Sequence, residues 1–517
     1  MNSNDIMDTR LNLPWARWSI LLIAGFTLAR LIAVIFNPVT LHADETQYWI
    51  WSQNFDWGYY SKPPMIAWLI GLSTSIFGDG DFAVRLPAPL LHAGTASFLF
   101  LVARRLWDDK VGFITCLAYL TLPAVWVSSA IMSTDALLLC AWSGGLWALL
   151  RLRDGENWPS AVGLGLAIGL GFLSKYAMIY FIVGTGLALV FDPSTRIALF
   201  TRNGLIAACL AGLLILPNIL WNAAHDFATV SHTAANANWG GDLFHPEEMA
   251  EFMIGQIGVF GPVFIFILLI CMTLVFRQFK TISTNNIVLL GFSLPPLLIV
   301  SLQAFISRAH ANWAVAAYLA GLLLVVSFLM RGPVWRRAAL YGAIVLHSVV
   351  IGSLMVIMTS PSMVESIGAS NSTKRIRGWH ETAEAITEAG MADDYSAIVF
   401  DDRNVFHQMQ RYAPGLDRNL AMWIRFSGPS NHAEQVWPLA EAHEGEILIV
   451  SHRPLEIARM REDFVTFEHV SDITISLDGS KTRDFTLWRA QGHTRVLRND
   501  AYEERWLAVD AEAIAGE

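Results

Sequence analysis

Charge is scarce in this sequence. Asp, Glu, Lys and Arg make up 15% of the 517 residues, against about 25% in soluble globular domains. Hydrophobic residues make up 54%, and the mean hydropathy is +0.43. A wholly water-soluble enzyme is excluded, and so is intrinsic disorder. Positive charge is the scarcer sign. The formal net charge of −9 leaves no basic face for a nucleic-acid partner. Cysteine is rare too. Cys116, Cys140, Cys209 and Cys271 fall inside apolar runs and form no CxxC, so they read as small buried hydrophobes, not as a disulfide or metal framework. Internal repeats and low-complexity tracts are missing.

What the sequence does have is apolar length. A spanning helix needs about 20 mostly apolar residues. Eleven runs qualify as expected spans: 17–37, 83–103, 111–130, 134–150, 159–173, 176–191, 203–221, 253–276, 286–305, 311–330 and 336–359. The first is too long for a cleavable signal peptide, and no small-residue cleavage site follows it. The 20 Trp and 29 Phe fit residues that collect where membrane meets water.

Loop charge sets the expected orientation. With the N-terminus in the cytoplasm, fourteen Lys and Arg fall on the cytoplasmic side, from Arg10 and Arg17 through Arg104, Arg105, Arg153 and Arg202 to Arg337. Lys62, Lys175 and Arg308 fall on the other side, with Arg85 at a helix start. An odd number of spans then places everything after residue 360 outside the cytoplasm. The expected domains are 1–359, a membrane domain with a long external loop 38–82, and 360–517, a soluble periplasmic α/β domain. The second carries 16 Lys and Arg against 26 Asp and Glu, so the net negative charge lies there. Ala397–Phe400, Glu446–Val450 and Asp484–Trp488 read as strands, and His380–Ala389 and Val405–Tyr412 as helices.

The most informative stretch is LHADETQYWIWSQNFDWGYYSKPPMIAWLIG, residues 41–71. It is too polar to span and too aromatic for a linker. Asp44 and Glu45 are adjacent. Trp49, Trp51, Trp57, Tyr59 and Tyr60 suit headgroup depth, and Lys62 precedes Pro63 and Pro64, which stop a helix. One reading is an interfacial amphipathic helix. The other draws on Asp135 in MSTDALLL, Lys175 in GFLSKYAM, Arg85 in GDFAVRLP, and Arg308 with His310 in SRAHANW. All reach the same expected side. Ionisable groups at a membrane are costly and point to function, although each alone would serve as a snorkelling anchor. Together they describe carboxylates beside a cationic pocket. Lys and Arg would hold a lipid-linked phosphate and stabilise its departure, and a carboxylate would take the proton of an attacking hydroxyl.

These motifs resemble the bacterial GT-C glycosyltransferases of family 39, which include the lipid A aminoarabinose transferases and, more distantly, protein O-mannosyltransferases. ADET followed by YYSKPP resembles the family's first-loop signature. FGDGDFAVR, STDALLL, FLSKY and SRAHANWAVAAY resemble its later motifs in order. The resemblance implies a polytopic α-helical fold of GT-C type, a polyprenyl-phosphate sugar donor, and a lipid A or lipopolysaccharide core acceptor. It also implies action at the periplasmic side of the inner membrane. Asp44 matches the essential acid, the general base, and Glu45 its neighbour. Tyr59, Tyr60, Lys62, Arg85, Asp135, Lys175, Arg308 and His310 fall in the matching substrate-binding motifs. Ser61 stands where the aminoarabinose transferases have an acidic residue, which puts an amino-sugar donor in doubt. YWIWS and SKPPMIAW are more similar to rhizobial galacturonosyltransferases, whose uronic acid would pair with the cations. The donor phosphate explains those cations equally well. A protein O-mannosyltransferase-like enzyme is the nearest alternative, and a lipid or sugar transporter the alternative from another class.

No cofactor is expected, and a divalent metal is left open. His225, Asp226, His232 and His245 in loop 222–252 match no standard metal spacing. Asp401, Asp402, Arg403 and His407 read as a polar cluster at a strand end, either a structural loop or an acceptor contact.

Overall fold

The computed structural model describes residues 14–155, 157–235, 237–239, 243–359, 361–416 and 419–515; Arg10 lies outside them. Two compact units are present. One runs through Asn37 and resumes over Asn54–Met355. The other joins Pro38–Gln53 to the chain from Val356 onward. A linear cut at 359/360 therefore misses one exchange, because the segment bearing Asp44 and Glu45 packs with the C-terminal unit.

Among the described residues, six helices are long and apolar enough to cross a bilayer, or nine spans if each of three bent pairs counts once. The expected count of eleven is not reached, and proline is one reason. Asp109–Leu120 and Pro123–Ala130 meet at 62°, Tyr176–Phe191 and Pro193–Leu199 at 115°, and Pro246–Phe260 and Pro262–Arg277 at 109°. Proline lacks the N–H that would continue the preceding turns, so a new helix starts at it. Two expected spans also fold short, as Trp158–Ser174 and Ala317–Met330. The second, of 14 residues, reaches only about 21 Å. Inside loop 38–82, Met65–Phe77 forms an apolar helix of 13 residues.

Burial runs against hydropathy in this unit. Thr134–Arg153 is the less apolar helix and is 78% buried, whereas the more apolar Pro14–Ile35 is only 17% buried. In water such an exposed wall would be unstable. Against lipid tails it is the solvated face, and the interior is left for small and polar side chains. Trp158–Ser174 shows this with its glycines. A Cβ on Gly165 would lie 2.7 Å from the Ala207 carbonyl oxygen, so glycine is what admits Arg202–Ala224 this closely.

The ends of Thr134–Arg153 differ in chemistry. At its C-terminal end Arg153 pairs with Asp192 at 2.9 Å and Arg105 with Asp154 at 2.7 Å. Its N-terminal turn carries Asp135. Twenty residues separate these ends by about 30 Å, the thickness of a hydrocarbon core.

Among the described residues, the second unit has five strands: β1 (Ala397–Phe400), β2 (Asn419–Met422), β3 (Ala442–Ser451), β4 (Thr466–Ser476) and β5 (Thr482–Thr494). Their order is β2-β1-β3-β5-β4. The first three are parallel, and β5 and β4 complete the sheet antiparallel. The three expected strands lie within β1, β3 and β5, and the two expected helices within Trp379–Met391 and Arg403–Tyr412. Sequence reasoning missed β2 and β4. β2 is four residues long, and β4 is an edge strand with no buried position. β1 is buried throughout, as expected of a parallel strand covered on both faces. Ile398 and Phe400 meet Ile386 and Phe406 on one face; Val399 and Ile449 meet Met460 on the other.

Candidate active site

The acidic pair opens the helix Ala43–Ser52, and its two members do different things. The Glu45 Oε2 accepts the His42 N–H at 2.9 Å, while His42 Nδ1 accepts the Asp44 N–H at 3.3 Å. This is a reciprocal capping arrangement. It commits Glu45, which is 0% exposed, to the helix. Asp44 is left projecting, its side chain 55% exposed, with His42 Nδ1 3.9 Å from its Oδ2.

That helix is fastened to Arg403–Tyr412 within the sheet unit. Tyr412 OH accepts the Leu41 N–H at 2.8 Å, and Gln408 Nε2 donates to the Leu41 carbonyl at 2.9 Å. The Arg411 guanidinium lies 4.4 Å from the Trp49 ring centroid. Trp51 is buried edge-on to His432 at 5.5 Å, and burial lowers the His432 pKa to about 4. The aromatic run YWIWS, read above as headgroup-depth residues, buries Trp51 and supplies the face that docks.

Tyr59, Tyr60 and Lys62 sit on a strap in the membrane unit. Thr229 Oγ1 donates to the Tyr59 carbonyl at 2.6 Å, and Asn218 Nδ2 donates to the Trp57 carbonyl at 2.7 Å. Tyr59 OH donates to the Asn54 carbonyl at 2.8 Å, and burial pushes its pKa up to about 12. Tyr60 packs against the His232 ring at 5.5 Å. The Asn218 Oδ1 in turn accepts from Tyr176 OH at 2.9 Å, which ties the strap to the turn beginning at Lys175.

Lys175 ends Trp158–Ser174 in an extended conformation, φ −160°, ψ 131°. There its Nζ reaches the Asp135 Oδ1 at 2.6 Å. The other Asp135 oxygen accepts from Asn312 Nδ2 at 2.7 Å. Three breaks in helical structure thus converge on one carboxylate. Asp135 and Asn312 also stand in the wall of a cavity of about 510 Å³ that is otherwise mainly apolar, lined by Leu122, Val315 and Leu319 among others. Asn312 was not singled out from the sequence, although it lies in the SRAHANW motif.

Arg85 is buried at the end of Asp81–Arg85. Arg308 and His310 are exposed, and the His310 ring meets Trp313 edge-on at 5.5 Å. In the long loop, His225 Nδ1 contacts the Trp221 carbonyl at 2.8 Å and His245 Nδ1 contacts Glu247 at 3.2 Å. Among the described residues, no three His, Cys, Asp or Glu side chains are grouped to hold a metal.

A helical membrane unit with a carboxylate-centred polar corner, joined in one chain to a sheet unit that presents an exposed acid, defines a multi-pass membrane protein of the GT-C fold. The crystal structure of ArnT from Cupriavidus metallidurans in the apo state has the same fold, with a TM-score of 0.64, 14% identity, and coverage of 91% of this chain and 97% of that one. An archaeal oligosaccharyltransferase, AglB from Archaeoglobus fulgidus, aligns with a TM-score of 0.51 at 13% identity, covering 85% and 70%. Residues 61–221 match the family described as dolichyl-phosphate-mannose-protein mannosyltransferase. The chain is 39% identical over 327 residues to the lipid A galacturonosyltransferase RgtD of Rhizobium johnstonii, covering 63% of this chain and 68% of that protein. It is 29% identical over 233 residues to an undecaprenyl phosphate-alpha-4-amino-4-deoxy-L-arabinose arabinosyl transferase of Pseudomonas fluorescens, covering 41% and 39%; this alignment spans about two fifths of that relative. The chain belongs to the GT-C glycosyltransferase family and is a membrane glycosyltransferase.

Proposed function

We propose that this enzyme moves a sugar, galacturonic acid in the first instance, from a polyprenyl-phosphate donor to lipid A or the lipopolysaccharide core. The observation that carries this reading is the Asp135–Lys175–Asn312 corner on a mainly apolar cavity. A charged head on a long hydrocarbon needs that combination of an apolar wall and fixed polar groups. The names of RgtD and of the aminoarabinose transferases support the donor and acceptor classes. The family match at residues 61–221 supports a protein hydroxyl as the second acceptor reading. Membership of a glycosyltransferase family sets the transporter alternative aside.

In the proposed reaction the acceptor hydroxyl attacks the anomeric carbon. Asp44 takes its proton, the new C–O bond forms, and the bond from the anomeric carbon to the phosphate oxygen breaks, its electron pair leaving with polyprenyl phosphate. One displacement inverts the anomeric centre. Phosphate is already a good leaving group, so no second carboxylate has to protonate it, unlike in glycosidases. Lys62 and Lys175, with Arg85, Arg308 and His310 as further cationic candidates, balance the charge on the departing phosphate. Asp135 orients Lys175, and Tyr59 and Tyr60 shape the donor side. Membrane lipids surround the spans. The loop-charge asymmetry supports an active site and sheet unit on the periplasmic side of the inner membrane.

The test is mass spectrometry of lipid A and core oligosaccharide from a deletion strain complemented with wild type or with Asp44→Asn. One sugar should vanish on deletion and return only with wild type, its mass separating hexuronic acid from hexose and amino-pentose. Unchanged glycolipids would overturn the acceptor, and full rescue by Asp44→Asn would overturn the base.

A further inference from the structure

A second cavity, this one polar, lies within the sheet unit. Its volume is about 390 Å³, at the lower end of the range of small-molecule sites. It sits where the C-terminal ends of the parallel strands open. β1 runs into Asp401 and Asp402, β2 into Trp423 and Arg425, and β3 into Ser451 and Arg453. The helix after β1, Arg403–Tyr412, packs on one face of the sheet through Phe406 and Met409. The helix after β3, Pro454–Arg461, packs on the other face through Met460. Neighbouring strands whose helices diverge in this way open a crevice at their carboxyl ends, the usual ligand position in such sheets.

Most of the wall is already paired. Asp402 caps the helix through the Asn404 and Val405 N–H groups, at 2.7 and 3.2 Å, and also pairs with Arg453. Glu434 accepts from Ser430 and Asn431. Arg425 Nη2 meets Glu456 at 3.0 Å. Arg425 Nε and Glu456 Oε2 lack a hydrogen-bond partner among the described residues, although both side chains are in ion pairs. Asp401 has an unpartnered oxygen with no ion pair among the described residues. It is 7% exposed, and its Oδ2 accepts from Ser451 Oγ at 2.5 Å. Its Oδ1 is buried with no hydrogen-bond partner, and the residue lines the cavity. A buried acceptor of this kind is costly unless something donates to it. Phe426, 38% exposed, offers a ring at the same cavity.

We propose that this crevice binds one sugar ring of the acceptor glycan, a hydroxyl of the ring donating to Asp401 Oδ1 and its apolar face resting on Phe426. The pairing pattern argues for a polyol over the alternatives. A calcium ion wants six to eight oxygens, but three of the four carboxylates are occupied by protein donors. Two of the three guanidinium groups that an anion would meet, Arg425 and Arg453, already face carboxylates. Hydroxyls both donate and accept, so a sugar can engage such a wall without breaking it. The placement also has a use. Arg403–Tyr412 borders the cavity with its first residues and holds the Asp44-bearing segment with Gln408, Arg411 and Tyr412, so one rigid helix connects glycan recognition to the base.

The acceptor assignment rests on the transferase reading, and the donor sugar shares the same chemistry. The experiment uses full-length enzyme in detergent at pH 8 with two probes, the deacylated lipid A–core saccharide and galacturonic acid 1-phosphate. Affinities are measured by calorimetry for wild type, Asp401→Asn and Phe426→Ala. The deacylated saccharide should bind wild type, and each variant should weaken it at least tenfold. Phe426 is exposed, so its truncation leaves the fold intact and keeps the test valid if Asp401→Asn unfolds. Equal binding by all three proteins, or no binding of either probe to wild type, overturns the site. Variant-sensitive binding of the sugar phosphate alone overturns the acceptor assignment in favour of the donor. Variant-sensitive saccharide binding in a protein that transfers no sugar in cells upholds the site and sinks the transferase reading. Transfer without such binding does the reverse.

Discussion

Two carboxylates in this chain each open a helix, one in each unit, and they end in opposite states. Asp135 in the membrane unit has both oxygens engaged, by Lys175 and Asn312. Asp44 in the sheet unit is exposed, and among the described residues its carboxylate has the loose approach of His42 alone. A general base must have a lone pair to offer, whereas an acid bonded on both sides can only hold its partners in place. Partner count and exposure therefore separate the proposed base from the proposed orienting acid, although both occupy equally prominent motifs.

The sharpest way to break that comparison is to exchange the charges for amides. Asp44→Asn should lower the transfer rate of purified enzyme by about 10²–10⁴-fold, the usual contribution of a positioned base, with membrane insertion unchanged. Asp135→Asn should lose less in rate. A reversed ranking would make Asp135 the base and Asp44 the orienting group.

The second cut tests the pair itself. Removing one partner of a fully buried ion pair costs about 3–5 kcal/mol, because it strands the other charge; this pair is partly buried, so its cost falls below that range. Lys175→Met and Asp135→Asn should each lower the thermal midpoint in detergent. The double variant should recover part of the loss. Additive losses would mean that the two residues stabilise the bundle independently.

Much of this contrast was hidden from the sequence for a physical reason. Spans, strands β1, β3 and β5, and the motif residues announce themselves through local composition. Pairing does not. Lys175 and Asp135 lie forty positions apart, and Asn312 is a neutral residue on a third segment, with no periodic signal to mark it. The docking of Pro38–Gln53 on the sheet unit is a long-range choice as well, written only in aromatics that also suit a membrane surface. Edge strand β4 escaped notice because its exposed residues lack alternation. The count of eleven is not confirmed, because three expected spans are bent where a proline opens the second helix and two others fold as short helices, neither of which interrupts an apolar run.

The sheet unit holds a third acid whose state is set by burial, and pH distinguishes it. Burial pushes the Asp401 carboxyl up to about 7. Between roughly pH 4 and 7 the folded protein keeps a proton that the unfolded chain has released. Its stabilisation is complete below pH 4 and is lost as pH rises through 7. Asp401→Asn, which mimics the protonated form, should therefore melt above wild type at pH 8, by at most about 4 kcal/mol. The advantage should disappear at pH 4. His432 runs the other way, since burial lowers it to about 4 and the unfolded chain binds the proton first as pH falls below 6.5. The stability of the variant, stripped of the Asp401 contribution, should then rise with pH between 4 and 6.5. A variant that melts below wild type at pH 8 would show that the Ser451–Asp401 contact matters more than desolvation.

The smallest effect belongs to the neighbour of the base. Glu45 is buried and accepts the His42 N–H, so its part is to hold the first turn from which Asp44 projects. Glu45→Gln keeps an oxygen at that position, and transfer should fall only a few-fold. Glu45→Ala removes the acceptor and should cost about 1 kcal/mol of local helix stability, read as faster amide exchange over residues 43–47. The pH dependence of transfer should be unchanged in both variants, because Asp44 is the proposed base and remains in place. A displaced pH profile in Glu45→Gln would make the two acids one coupled dyad, and the division of labour between projecting base and buried cap would fall.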